Sequence, residues 1–146
     1  MSTIYLDVYR NTHWELVPLT RAGADAASLD AVDLAVLKGF EEMQDEGEPD
    51  LVVELINLYL EDAPRKVASM LEAVAGADDV SLRRAAHSLK GSSATIGAFG
   101  VAALCEELEA AGKADSFRGA GALLIRLQRE LARASRAFAS ERRRRS

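Results

Sequence analysis

The sequence predicts an all-α chain folded as an antiparallel up-and-down bundle, with a four-helix core and an additional helix and arm at its N-terminal end. Three observations lead there. From Leu29 onward, apolar residues recur at spacings of three and four rather than two. The segments so marked are separated by short links of Gly, Pro, Asp and Glu, such as Gln44-Asp45-Glu46-Gly47-Glu48. The one stretch with strand-like alternation, Ile4 to Tyr9, has no second strand candidate to pair with.

Residues 1–28 form an arm whose pattern assigns no element. It holds His13, Trp14 and two of the three tyrosines, which favours packing against the bundle or a partner over complete disorder. Ser28 or Asp30 can cap a first helix whose apolar positions are Leu29, Val32, Leu34, Val36, Leu37 and Phe40. Pro49 suits the start of the next helix, where Leu51, Leu55, Leu58 and Tyr59 supply the apolar face. Pro64 removes a backbone donor and disfavours helix at Ala63, so a kink or short break is expected there, with continuation through Val67, Met70, Leu71 and Val74 and a stop at Gly76.

The next helix is capped by Asp78 or Asp79 and ends at Gly97. At about 100° per residue, Leu82, Ala85, Ala86, Leu89, Ser92, Ser93 and Ile96 gather on one side and His87 points to the other. A helix from about Phe99 to Ala111 follows, with Val101, Leu104, Cys105 and Leu108 inward and Gly112 as its end. Ser116 opens the last helix, with Leu123, Leu124, Leu127, Leu131, Ala134 and Phe138 as the buried stripe. The bundle thus spans 29–140, and a basic tail, 141–146, is expected to trail into solvent.

Composition narrows the function. The 146 residues are 49% hydrophobic and 28% charged, which describes a soluble globular domain. The net charge is -5, of which Glu141 to Arg145 contribute +3, so the remainder carries -8 and nucleic acid is not expected as a partner of the body. A solubilising end is the simplest reading of the arginine run. One cysteine, Cys105, cannot make an internal disulfide; it fits a reducing cytoplasm and reads as a small core residue. No run of 18 apolar residues occurs, so no membrane insertion is expected.

His87 is the residue around which chemistry gathers. One turn away on its outer face lie Arg83, Arg84, Lys90 and Gly91, with Val80 and Ala94 two turns away and no carboxylate on that face of the helix. An exposed imidazole beside permanent cations is suited to taking a dianionic group and having its charge offset. Gly91 costs a helix interior about 1 kcal/mol relative to Ala, and the simplest reason for it is access for a partner. His13, by contrast, lacks any cation cluster and reads as incidental. Ser92 and Ser93 lie inward, where hydrogen bonds to the bundle are expected rather than nucleophilic work.

The string Ala86-His87-Ser88-Leu89-Lys90-Gly91-Ser92-Ser93, followed by Gly97-Ala98, resembles the signature of the histidine-containing phosphotransfer (HPt) domain of multistep phosphorelays. The resemblance extends more loosely from Leu29 to Phe138. It implies that His87 accepts a phosphoryl group on Nε2 from the aspartyl phosphate of a receiver domain and passes it to another. It implies too that Lys90 neutralises phosphoryl charge and that Gly91 clears the docking surface. The implied partners are response-regulator receivers or a hybrid sensor kinase; the small apolar rim of Val80, Gly91 and Ala94, with Arg83, Arg84 and Arg65, would meet them.

Other chemistries lack their residues. There is no G-x-S-x-G elbow, no phosphate-loop lysine after Gly97, and no zinc-ligand spacing. The acidic residue that usually follows a sensor kinase's phosphoacceptor histidine is replaced by Ser88, so no autokinase activity is expected. No cofactor of its own is expected; magnesium would come with the receiver. Lacking a general base to activate water, a phosphohistidine here should persist until a receiver docks. The alternatives are a bundle that docks receivers without carrying phosphate and a structural helical adaptor. A self-contained bundle is expected to be a monomer.

Overall fold

The computed structural model describes residues 31–114 and 117–145. Five helices make up the described chain: α1 Leu34–Glu42, α2 Leu51–Ala75, α3 Asp79–Ile96, α4 Phe99–Lys113 and α5 Ala120–Arg145. There is no strand among the described residues. Short links make successive helices antiparallel neighbours. α3 packs between α2 and α4, and α5 closes the ring against the same two helices, so α3 and α5 lie on opposite sides of the four-helix core. α1 lies across α2 and α3. No helix among the described residues is long and apolar enough to cross a membrane.

The arm, with Ile4 to Tyr9, His13, Trp14 and the proposed caps Ser28 and Asp30, lies outside the described residues, as do Leu29 and Ser116. Within them, Asp33 caps α1, its carboxylate accepting from Ala35 N at 3.0 Å. The same residue's N–H donates to the Gly97 carbonyl at 2.9 Å. Gly97 sits at φ 91 as the left-handed cap of α3, and a Cβ there would come within 2.8 Å of the Asp33 carbonyl oxygen. Glycine is thus required twice over, by backbone conformation and by close approach. Leu37 is buried and Phe40 half-buried, but Leu34, counted above as apolar face, is 44% exposed at the first turn.

α2 begins at Leu51, with Asp50 as its cap and Pro49 just outside. It runs through Pro64 as one continuous helix, so the short break offered as one expectation does not occur. Ala63 and Val67, on either side of the proline, are fully buried on one face, and that packing holds the two halves in register. The buried stripe is Val52, Ile56, Tyr59, Ala63, Val67 and Met70, which leaves Leu58 63% exposed. The first ten residues of α2 are apolar nearly all round, so periodicity alone did not choose the face.

Gly76 follows α2 at φ -93, and the left-handed position falls instead on Ala77, φ 52. Asp78 N donates to Ala73 O at 2.8 Å and Ala77 N to Val74 O at 3.2 Å, the two bonds of a Schellman turn closed on a non-glycine residue. Asp78 then caps α3 through Ser81 N. Gly112 lies inside α4 rather than ending it: a Cβ there would approach Arg83 Cγ to 2.6 Å, so its absence lets Arg83 lie across the helix.

The core joins these stripes to Leu124, Leu127, Leu131, Ala134 and Phe138 of α5. Tyr59 stands edge-on to Phe138 at 5.3 Å and shares a 2.7 Å hydrogen bond with Ser93, so its buried hydroxyl is satisfied. Ser92 donates to the Leu89 carbonyl. Cys105 is fully buried, and burial pushes its thiol up to about 12, which keeps it protonated and inert.

The arginine run does not trail into solvent. α5 continues to Arg145, and helical phase divides the run in two. Arg142 and Arg145 turn toward the bundle: Arg142 donates to Asn57 at 2.7 Å, and Arg145 reaches Glu41 at 2.7 Å, Asp50 at 3.0 Å and Glu141 at 3.0 Å. Glu141 is itself buried. Arg145 therefore ties the end of α5 to the α1–α2 link and to the cap of α2.

Candidate functional site

α3 presents its polar face outward because Leu82, Ala86, Leu89, Ser93 and Ile96 are drawn into the core. His87, opposite that stripe, has a side chain 69% exposed. Nothing lies within 4 Å of a Cβ built on Gly91, one turn further on. The bundle's own packing does not call for a glycine there.

Across the groove from α3, α4 supplies a carboxylate that the reading of α3 alone could not provide. Glu109 Oε2 lies 3.0 Å from His87 Nδ1, and Glu109 Oε1 accepts from Lys90 Nζ at 2.7 Å. The expectation of a cation cluster without a carboxylate is corrected here. The hydrogen bond from Lys90, helped by His87 and opposed by partial burial, holds the Glu109 carboxyl below the usual carboxylate range, so it is ionised. In return, its bond to Glu109 raises the Lys90 ammonium above its ordinary value. An ionised carboxylate only accepts, so this hydrogen bond places a ring proton on Nδ1 and leaves Nε2 as the nitrogen not bonded to Glu109. Both oxygens of Glu109 are occupied, on the side of the ring away from Nε2. The carboxylate in the site is therefore not placed to activate water at Nε2.

The other residues singled out by sequence divide between those that share this face and those that turn from it. Val80 is 43% exposed, and Arg84 and Ala94 are exposed on the same outer surface. Arg83 is turned away: it packs on Gly112 and its Nη2 lies 3.4 Å from Asp79 Oδ2. Of the three cations expected round the ring, only Lys90 is held at the site, and through Glu109. Arg65 pairs with Glu61 at 3.1 Å and is highly exposed on α2. It helps line a groove of about 450 Å³ between α1, α2 and α3, walled by Phe40, Leu55, Leu58 and Ile96 and reaching Ser92 and Thr95 of the His87 helix.

Glu109 had a faint trace in the sequence. It follows Cys105 by one turn and precedes Gly112 by three residues, at the edge of the buried stripe. A carboxylate at such an edge faces a neighbouring helix, but which neighbour depends on how the helices pack.

Comparison with known proteins agrees with the helical fold. The sequence pattern of the Hpt domain family matches residues 54–137, more than half of the chain, leaving α1 outside. Histidine-containing phosphotransfer protein 2 of Arabidopsis thaliana is 34% identical over 82 residues, covering 54% of this chain and 53% of its own length. Protein 5 of that name from the same plant is 35% identical over 66 residues, covering 43% of this chain and 42% of its own length. The chain thus matches about half the length of these curated relatives, or less. Among solved structures, histidine-containing phosphotransfer protein B of Pseudomonas aeruginosa superposes with a TM-score of 0.74 at 30% identity, over 80% of this chain and 97% of that one. A histidine-containing phosphotransfer protein of Medicago truncatula, at 23% identity and TM-score 0.67 over 84% of this chain and 86% of its own, has the same fold. The extent of the family match, together with the bundle that carries it, establishes that this chain belongs to the Hpt domain family.

Proposed function

We propose that this protein is a phosphoryl carrier that accepts the group on His87 from the aspartyl phosphate of one receiver domain and yields it to another. The observation that carries the reading is the hydrogen bond between His87 Nδ1 and Glu109, which leaves Nε2 exposed as the nucleophilic nitrogen. In the transfer, the Nε2 lone pair attacks phosphorus in line with the aspartyl oxygen. The N–P bond forms as the O–P bond breaks, and the leaving electron pair returns to the aspartate carboxylate. The ring becomes cationic, with its proton still on Nδ1 facing Glu109, which balances the new charge. Lys90, one turn further along the same helix, would offset the charge of the phosphoryl oxygens. Gly91 leaves room for the receiver's loops, and Val80, Ala94 and Arg84, with Arg65 on α2, are the surface it would cover. Magnesium is the receiver's contribution, and no cofactor is assigned to this chain.

The test is transfer from a panel of radiolabelled phospho-receivers to wild type, His87→Gln and Glu109→Gln. Acid-labile, base-stable label is expected on wild type, none on His87→Gln, and slower labelling on Glu109→Gln, whose amide can still accept from Nδ1 but carries no charge. ATP alone should label none of the three. Label on His87→Gln equal to wild type, or none on wild type from any receiver it binds, would refute the carrier reading and favour a docking module.

A further inference from the structure

The outer face of α5 carries a long row of arginines, and the proposed phosphotransfer at His87 makes no use of it. The helix holds eight arginines against two glutamates, a net +6, in a chain whose total is -5, so all other residues together carry -11. It contains no lysine. Arg126, Arg129, Arg133, Arg136, Arg143 and Arg144 fall within an arc of about 100° opposite the buried stripe of Leu124, Leu127, Leu131 and Phe138. The row is about 27 Å long at the helical rise per residue. Arg126, Arg129, Arg143 and Arg144 are exposed. Arg133 and Arg144 donate to Glu130 and Glu141, carboxylates already counted in the net charge.

We propose that this ridge is a docking surface for an anionic phospholipid bilayer, held by charge and without insertion. Two observations favour a flat lipid surface over other polyanions. The row runs along one face of a single continuous helix, so a plane can meet its whole length, whereas the phosphates of a curved duplex could meet only part of it. The ridge offers no aromatic side chain for base stacking, the only aromatic of α5 being the buried Phe138, and no exposed amide to read base edges. Arginine, with its planar fork, pairs with phosphate oxygens two at a time. Glu41 and Asp50 pair with the inward-facing Arg145, and at physiological salt charges more than about 8 Å apart are largely screened. Since α5 is diagonal to α3, a protein lying on its α5 ridge would turn His87 toward solution.

Vesicle co-sedimentation tests this. The probes are phosphatidylcholine vesicles with and without about one-third phosphatidylglycerol, and a 30-base-pair DNA duplex, each at about 0.05 and 0.5 M salt. Binding is expected to the anionic vesicles alone, strong at low salt and lost at high salt. Arg126→Gln/Arg129→Gln removes two exposed charges, each worth about fivefold in partitioning, so binding should fall about 25-fold. The same variant should accept phosphoryl groups as wild type does, and His87→Gln should bind vesicles as wild type does; failure of one proposal thus leaves the other readable. No sedimentation with anionic vesicles at low salt, equal binding to the neutral vesicles, an unaltered double variant, or tighter binding to the duplex would each overturn the lipid assignment.

Discussion

Gly91→Ala is expected to make the protein more stable and less active at once. Gly91 lies in the interior of the 18-residue α3, where glycine costs about 1 kcal/mol relative to alanine. A Cβ at this position meets nothing within 4 Å, so no clash offsets the gain. For a chain of this size, about 1 kcal/mol corresponds to a rise in Tm of about 3 °C. Transfer should move the other way, because the added methyl projects from the face that the receiver would cover, one turn from His87. A displacement of about 1 Å in the approach of the reacting atoms is enough to slow transfer by tenfold or more. Gly39→Ala is the control: Gly39 is also helical with open space around it, so it should raise Tm without changing transfer. Circular dichroism melts and single-turnover transfer from one phospho-receiver measure both quantities. A fall in Tm for Gly91→Ala would refute the helix argument, and a rise in Tm with an unchanged transfer rate would refute the access argument.

Ala77→Gly should stabilise the fold by about 0.5–1 kcal/mol, because Ala77 holds φ 52 in the turn that closes α2 and glycine adopts that conformation without strain; chemical denaturation measures it, and a loss of stability would show that the turn relaxes around alanine. Arg145→Gln should cost about 2 kcal/mol, between the values for exposed and fully buried pairs, since it strips Asp50, Glu41 and Glu141 of a shared partner. Burial alone would raise the Asp50 and Glu141 carboxyls, but bonds from Arg145, with backbone N–H groups at Asp50 and Arg144 at Glu141, hold both below their ordinary 3.8 and 4.5. With folded-state values depressed, their stabilisation is complete above those ordinary values and is lost as pH falls through the folded ones. Denaturant melts from pH 6 to pH 2 should therefore show a shallower acid loss in Arg145→Gln than in wild type, and parallel curves would refute the role of the clasp.

Much of this protein could be read one helix at a time. The outward direction of His87, the inward stripe of α3, the left-handed stop at Gly97 and the buried faces of α4 and α5 follow from residue spacing, because each depends only on the 3.6-residue repeat of its own helix. The same reasoning went astray on α2, where apolar residues surround the first turns and the partner helices selected Val52 and Ile56 over Leu58. It misplaced Gly112, whose reason is the Arg83 side chain of another helix rather than the end of its own. It also released the arginine tail into solvent. Phase alone places Arg142 and Arg145 inward, but that they find Asn57, Asp50 and Glu41 there depends on where α1 and α2 lie.

By itself, then, the sequence determined a helical bundle, an exposed histidine with Lys90 and Gly91 at helical offsets, and the family resemblance those residues carry. Only the tertiary structure decided that Glu109 joins them, within hydrogen-bond distance of both His87 Nδ1 and Lys90 Nζ. It alone set α5 and its arginine ridge diagonal to the His87 helix. The physical reason is one of range: periodicity reports which face of a helix is buried, whereas a hydrogen bond 22 residues apart in the chain exists only once two helices have chosen their register.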